Sequence, residues 1–365
     1  MFSISSSDPT VLTPLGQPVS TLGDFPVSVT LSSNLSLACV ANSGSRAGVA
    51  CLNMSPTAGL SPLDTTLRSF ALNQTNPPSG PLNTVSQTFF NADSSALLTT
   101  VKGNPAVNNT GFLSVFPVVN GAVSTTETRS SPAGTAVLFG TALLPESSDI
   151  FVTDASFGSA TLSLNAENVA SVAASTNITD QKATCWAAFS DLTGTGFVTD
   201  VAVNHLVEID TATGQLVKEL LSGNGNPGMI DLVSAGNFIY ALSPGNGSVK
   251  AAVTVFDVSG GRGSKCSEEG VGRDVNSMQL RRRSRISIRV VCLIVHREWL
   301  SFDSRGREEF VGLRKPKKTF RNGSFRPDIF RGRTLFLCIL EPKIKFHCVN
   351  RKTSRKLMLK CGKVH

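Results

Sequence analysis

Six polar side chains are the candidates for chemistry in this chain: Asp24, Gln87, Lys102, Asp154, Asp200 and Asp231. A carboxylate can move a proton, and an ammonium can hold a substrate carboxylate through charge-assisted hydrogen bonds. Asp154 and Asp200 each close the same short run, Phe-Val-Thr-Asp, so the two carboxylates are expected on one rim of the molecule. That spacing has a second reading, because an aspartate at a strand end commonly caps a turn by accepting backbone N–H groups. Other ionic groups are scarce. The arginines before residue 265 are Arg46, Arg68, Arg129 and Arg262, mostly in turns or linkers, and the histidine there is His205.

The elements that must position these groups recur along the chain. A short strand is followed by a polar turn, a second apolar strand and a Gly- or Asn-rich loop. The second strands begin at Leu37, Leu97, Ile150, Gly196 and Phe238, spaced 60, 53, 46 and 42 residues apart. A repeat of this length carrying several strands predicts a β-propeller, whose blades stack radially because a single blade cannot bury both of its faces. A β-sandwich with irregular hairpins is the alternative. Five blade cores are countable. The innermost strands, which line the channel, are expected to begin near Asp24, Gln87, Thr135, Gln181 and Pro227. His205 falls on a third strand, away from the channel, and reads as a packing or surface residue.

Composition breaks near Lys265. Residues 1–265 carry a net charge of −8 and residues 266–365 a net charge of +16, which together give the +8 of the whole chain. The first part reads as an acidic, Ser/Thr/Asn/Gly-rich β domain over 1–265. The second has no consistent hydrophobic period and reads as a basic extension, disordered or foreign to the natural gene product. Its clusters Arg281–Arg285 and Arg314–Lys318 would attract polyanions, but no nucleic-acid-binding fold surrounds them, so nucleic acid is not the expected partner. Cys338, His347 and Cys348 lack zinc-site spacing, and no pattern calls for a metal or cofactor. No apolar run reaches the ~18 residues needed to span a bilayer. Met1-Phe2 leads straight into polar sequence, without the charged and apolar regions of a secretory leader.

Cys39 and Cys51 lie equidistant from Ser45 in a hairpin whose turn is Ser43–Gly48, so they face each other across the strand pair. Facing residues can be joined by a disulfide; two small buried hydrophobes are the other reading. Cys185 has no nearby histidine and is not expected to be a nucleophile. Trp186 is expected to pack between blades. Sequons at Asn34, Asn53, Asn73, Asn108, Asn177 and Asn246, with Asn322 in the basic part, permit glycosylation at about chance frequency. Gly223–Gly228 is a loop lacking the lysine and helix of a phosphate cradle.

Several blocks in order carry a resemblance. Gly23-Asp-Phe-Pro-Val27, Leu97-Leu-Thr-Thr-Val-Lys-Gly103, Gly111-Phe-Leu-Ser-Val-Phe-Pro117, Val152-Thr-Asp-Ala-Ser-Phe-Gly158 and Ala183-Thr-Cys-Trp186 are among them. Phe197-Val-Thr-Asp200, Gly225-Asn-Pro-Gly-Met-Ile-Asp231 and Leu242-Ser-Pro-Gly-Asn-Gly247 continue the series. Over residues 1–264 these stretches resemble the fungal secreted lactonase-like propellers labelled 3-carboxymuconate cyclase-like. The resemblance implies a seven-bladed-type propeller of which about five blades are recognisable, with strands expected to be missing at both ends. It implies an extracellular setting and, for an active member, a small lactone or carboxylated substrate held by channel His, Arg and carboxylate groups. No such catalytic set can be carried over onto this sequence. A non-catalytic extracellular propeller that binds a partner or glycan is the alternative.

Overall fold

The computed structural model describes residues 1–264 apart from Pro9 and Gly247, together with the backbone of 267–271, 301–302 and 308–309. The basic clusters, the Cys338/His347/Cys348 group and the Asn322 sequon lie outside the described residues.

A small hairpin, β1 (Phe2–Ile4) with β2 (Leu12–Pro14), precedes five successive antiparallel sheets. Blade one is β3 (Pro26–Ser32), β4 (Leu37–Asn42), β5 (Gly48–Ser55) and an outer strand broken into β6 (Gly59–Pro62) and β7 (Arg68–Ser69). Blade two repeats this with β8 (Val85–Phe90), β9 (Ala96–Val101), β10 (Phe112–Val119), β11 (Ala122–Val123) and β12 (Thr128–Ser130). Blade three is β13 (Leu138–Leu143), β14 (Ile150–Asp154), β15 (Gly158–Leu164) and β16 (Ala170–Asn177). Blade four is β17 (Thr184–Ser190), β18 (Thr195–Asp200), β19 (His205–Ile209) and β20 (Leu216–Leu221). Blade five is β21 (Asp231–Ala235), β22 (Phe238–Ser243), β23 (Ala252–Asp257) and β24 (Ser267–Val271). The five second strands coincide with the repeat read from the sequence. The backbone of β24 pairs with β23 from beyond residue 265, so the outer strand of blade five lies past the composition break.

Blades two, three and four are buried on both faces by their neighbours, which is why their second strands read as near-continuous apolar or small runs. Successive residues of a strand point to opposite faces, and the cores show it. Leu97 packs toward blade one with Val49, Phe70 and Phe116, whereas Leu98 packs toward blade three with Ile150, Val152 and Leu162. Phe151 points the other way, into a cluster with Val198, Val207 and Ile209. Phe197 in turn meets Leu232, Ile239 and Phe256 of blade five. A one-residue slip would send every side chain of a blade to the wrong neighbour. In blade five β22 alternates buried with part-exposed residues, so one face is covered and the face bearing Phe238 and Tyr240 is more open.

Inner strands contact one another in the order β3, β8, β13, β17, β21, and no comparable contact joins β21 back to β3 among the described residues. Where β13 meets β17 the backbones nearly touch: a Cβ on Gly140 would lie 2.7 Å from the Trp186 Cα. Glycine is therefore required at that approach. Cys39 and Cys51 form a disulfide between facing residues of β4 and β5. Among the described residues no helix is long and apolar enough to cross a membrane.

Candidate functional site

The face of the propeller where second strands end and first strands begin collects five of the six candidate residues. In register, the rim position of each second strand is Asn42, Val101, Asp154, Asp200 and Leu242, facing Pro26, Val85, Leu138, Thr184 and Asp231. In blades one to four the pairing slips just inside that rim, between Pro26 and Ser28, Val85 and Thr88, Leu138 and Thr141, and Thr184 and Ala187. Blade five runs from Asp231 without a slip.

Three rim positions are closed structural caps. Asp154 Oδ2 accepts the Ala136 and Val137 amides at 2.7 and 3.0 Å, and Oδ1 accepts the Ser156 amide and hydroxyl. Asp200 repeats this in blade four: Oδ2 accepts Lys182 and Ala183 amides, Oδ1 those of Ala202 and Val203, at 2.8–3.0 Å. Both are fully buried. Each carboxylate tethers the loop entering its inner strand to the loop leaving its second strand, and no oxygen is left facing the channel. Asn42 does related work in blade one, donating to the Thr21 carbonyl while accepting the Thr21 hydroxyl. Gln87, inside β8 rather than at its start, accepts the Thr141 amide and hydroxyl and so latches blade two to blade three. Asp24 precedes β3 and is held by the Arg46 guanidinium and the Ser45 hydroxyl, which lower its pKa to about 2. These bonds account for the placement of four candidates without a ligand.

Lys102 and Asp231 differ. Lys102 follows β9, and its Nζ sits 4.1 Å from the centre of the Phe139 ring. Burial of the ammonium lowers its pKa to about 8, against a weaker opposite pull from the Cys185 sulfur. Asp231 opens β21; burial raises its pKa to about 6, opposed by a hydrogen bond from the Leu232 amide. Between blades four and five lies Cys185, whose thiol donates to the Ile230 carbonyl at 3.3 Å. Burial pushes that thiol well above the usual range, Lys102 pulls it back, and Asp231 and Asp200 add to the rise. The thiol stays protonated and is no nucleophile. Lys102 and Asp231 thus flank Cys185 within electrostatic reach, beside the edge-to-face pair of Phe139 and Trp186 at 5.7 Å. An ammonium and a carboxylate poised near neutrality at one rim are the elements of proton transfer and oxyanion stabilisation. Phe139 carried no sequence signal; only its place on the inner strand next to Lys102 brings it into the site.

His205 is buried at the start of β19, the third strand of its blade and so two strands out from the channel, with Nδ1 2.6 Å from Glu219 Oε1 on β20. Arg68 is buried, paired with Asp64 and donating to the Val123 and Ser124 carbonyls. The sequon asparagines Asn34, Asn53, Asn73, Asn108, Asn177 and Asn246 are all exposed. No group of three or more metal-ligating side chains exists among the described residues.

No family model and no curated protein matches this sequence. Solved structures do. A putative 6-phosphogluconolactonase from Bacteroides uniformis superposes with a TM-score of 0.56 at 13% identity, over 84% of this chain and 81% of that one. The chain shares its fold. A periplasmic gluconolactonase from Pseudomonas aeruginosa gives a TM-score of 0.54 at 12% identity, over 75% and 78% of the two chains. A second putative 6-phosphogluconolactonase, from Bacteroides fragilis, gives 0.53 at 13% identity, over 74% and 76%. The coarse expectation of a lactonase-like propeller stands at the level of fold.

Proposed function

We propose that this propeller opens a small lactone by hydrolysis at the rim formed by Lys102 and Asp231. The observation that supports the reading is a desolvated ammonium from blade two and a desolvated carboxylate from blade five, each within electrostatic reach of Cys185, on a rim where Asp154 and Asp200 are closed caps. The fold shared with proteins named as lactonases is consistent with it. In the reaction, Asp231 takes a proton from water as the water oxygen bonds to the lactone carbonyl carbon. Lys102 stabilises the oxyanion that forms. Collapse breaks the ring C–O bond, the protonated Asp231 returns its proton to the leaving ring oxygen, and a hydroxy acid results. The Phe139 and Trp186 rings exclude water from one side. The reacting groups of this reading all lie within residues 1–265, and residues 266–365 contribute no group to the reaction.

An extracellular setting belongs to the same proposal. The Cys39–Cys51 disulfide suits an oxidising compartment, and the six exposed sequons would be accessible to glycosylation there. Specific similarity to the fungal carboxymuconate cyclase-like group also remains a proposal, carried by the sequence blocks alone.

The test is lactone opening, followed by proton release, with glucono-δ-lactone and a carboxylated γ-lactone on the full chain. Turnover above the spontaneous rate is expected, with kcat/KM rising as Asp231 ionises near pH 6 and falling as Lys102 loses its proton near pH 8. Asp231→Asn should lower kcat by roughly 10²–10⁴. Turnover that survives this change unaltered would sink the assignment. The second reading, a binding propeller without turnover, is favoured by the scarcity of histidine and unpaired arginine near the rim. It is the outcome if lactone binds saturably but is not opened.

A further inference from the structure

An open cavity of about 480 Å³ lies above blade two, between the chain after β7, the end of β9 and the start of β10. Its volume is that of a small-molecule site. Lys102, Arg129, Asn83, Asn109, Thr110 and Ser131 supply its polar lining, with no carboxylate among the lining residues. The arrangement is built rather than incidental. The Arg129 guanidinium carbon stands 4.0 Å over the Phe112 ring, and Glu127 holds its Nε edge at 3.1 Å. Stacking and one-sided pairing fix the plane of the fork. The Asn109 amide donates to Asn83 Oδ1 at 3.0 Å, and Asn83 in turn donates to the Leu72 carbonyl, which fixes both carboxamides. One guanidinium, bonded to Glu127 along its Nε edge, with two oriented carboxamides and two hydroxyls around one cavity forms a receptor for a carboxylate attached to a polar body.

We propose that this cavity binds a small polyhydroxylated carboxylate, with Arg129 holding the carboxylate and Asn83, Asn109, Thr110 and Ser131 meeting the hydroxyls. A guanidinium fork matches a carboxylate in two parallel hydrogen bonds. Lys102 lines the cavity, but its ammonium lies over Phe139 on the reaction side, so occupancy of the cavity is read by binding alone and does not depend on turnover.

Calorimetric titration of the full chain at low salt decides it, with gluconate as the probe, inorganic phosphate as a bare oxyanion and sorbitol as the uncharged polyol. Gluconate should bind with one-to-one stoichiometry, more tightly than phosphate, and sorbitol should give no signal. Arg129→Gln should weaken gluconate tenfold or more, Asn109→Ala severalfold, and Asp231→Asn should leave gluconate binding in place. A melting curve for each variant checks that the fold survives. Absence of gluconate binding at millimolar concentration, equal binding of phosphate, or indifference to Arg129→Gln in a folded variant would each overturn the proposal. Loss of gluconate binding in Asp231→Asn but not Arg129→Gln would place the anion at the reaction rim instead. If lactone turnover is absent while the Arg129-dependent binding persists, the proposed function fails and this site remains.

Discussion

Asp200 ends the second strand of blade four and Asp231 opens the inner strand of blade five on the same rim, yet one is saturated and the other is not. Asp200 accepts four backbone N–H groups. Asp231 relies on a single amide while half-buried, and desolvation holds its proton to about pH 6. Register explains the difference. In blade four the loops entering β17 and leaving β18 present the Lys182, Ala183, Ala202 and Val203 amides without ladder partners, and the Asp200 carboxylate satisfies them. In blade five the ladder is regular from its first pair, Asp231 with Leu242, so no loose amides need a cap. Within one fold, the same residue type is structural where the ladder fails and chemically poised where it does not.

Substitution should separate the two most sharply. Asp200→Asn places an NH₂ group against donors, losing charge-assisted bonds and leaving amides unpaired. The expected cost is about 3 kcal/mol, a fall in Tm of roughly 6–12 °C for a domain of this size. Asp154→Asn should behave alike. Asp231→Asn should instead leave Tm unchanged or raise it by roughly 2–4 °C, because it removes a desolvated charge. Thermal melts of the three variants at pH 7 are the check. If Asp231→Asn falls as far as Asp200→Asn, the contrast between a cap and a poised acid is wrong.

Lys102 should behave like Asp231 with the opposite pH sense. Its folded pKa of about 8 lies below the unfolded 10.5, so the native state gives up its proton first and stability rises between those values. Lys102→Met removes the rise and should be the more stable protein at pH 7, the gap closing by about pH 10. Asp231, with its pKa raised from 3.8 to about 6, supplies stability below pH 3.8 that is lost as pH rises through 6. Chemical denaturation across pH 3–10 for wild type and both variants reads the two windows separately.

Much of the blade architecture was legible, because burial on both faces forces apolar second strands and turns force Asn, Gly and Asp between them. Phe-Val-Thr-Asp at Asp154 and Asp200 showed equivalence in adjacent blades, and the capping alternative was available from turn chemistry. Asn42 carries a related rim role but ends Val-Ala-Asn, so its equivalence needed the register. The poised pair was less legible. Nothing in the type or spacing of Lys102 and Asp231 separates them from Gln87 and Asp24; what does is the set of donors that tertiary packing brings to Gln87 and Asp24 and not to Asp231. The clustering of Cys185, Phe139 and Lys102 comes from three different blades and has no local signature. Arg129 read as a turn residue because its stacking partner Phe112 is on the strand that β12 pairs with, seventeen positions earlier.

Asp24 marks the weak end of the comparison. Like Asp200 it is bonded by neighbours, but its partners, Arg46 and Ser45, are near solvent. Its pKa is lowered to about 2, so its contribution is present above pH 3.8 and disappears as pH falls toward 2. Solvent and salt screen such a pair, so Asp24→Asn should change stability at pH 7 far less than Asp200→Asn. Its trace should be a small upward shift in acid resistance relative to neutral stability, diminished in high salt. A salt-insensitive loss as large as that of Asp200→Asn would show that the Asp24–Ser45 hydrogen bond, rather than charge, anchors the entry to blade one.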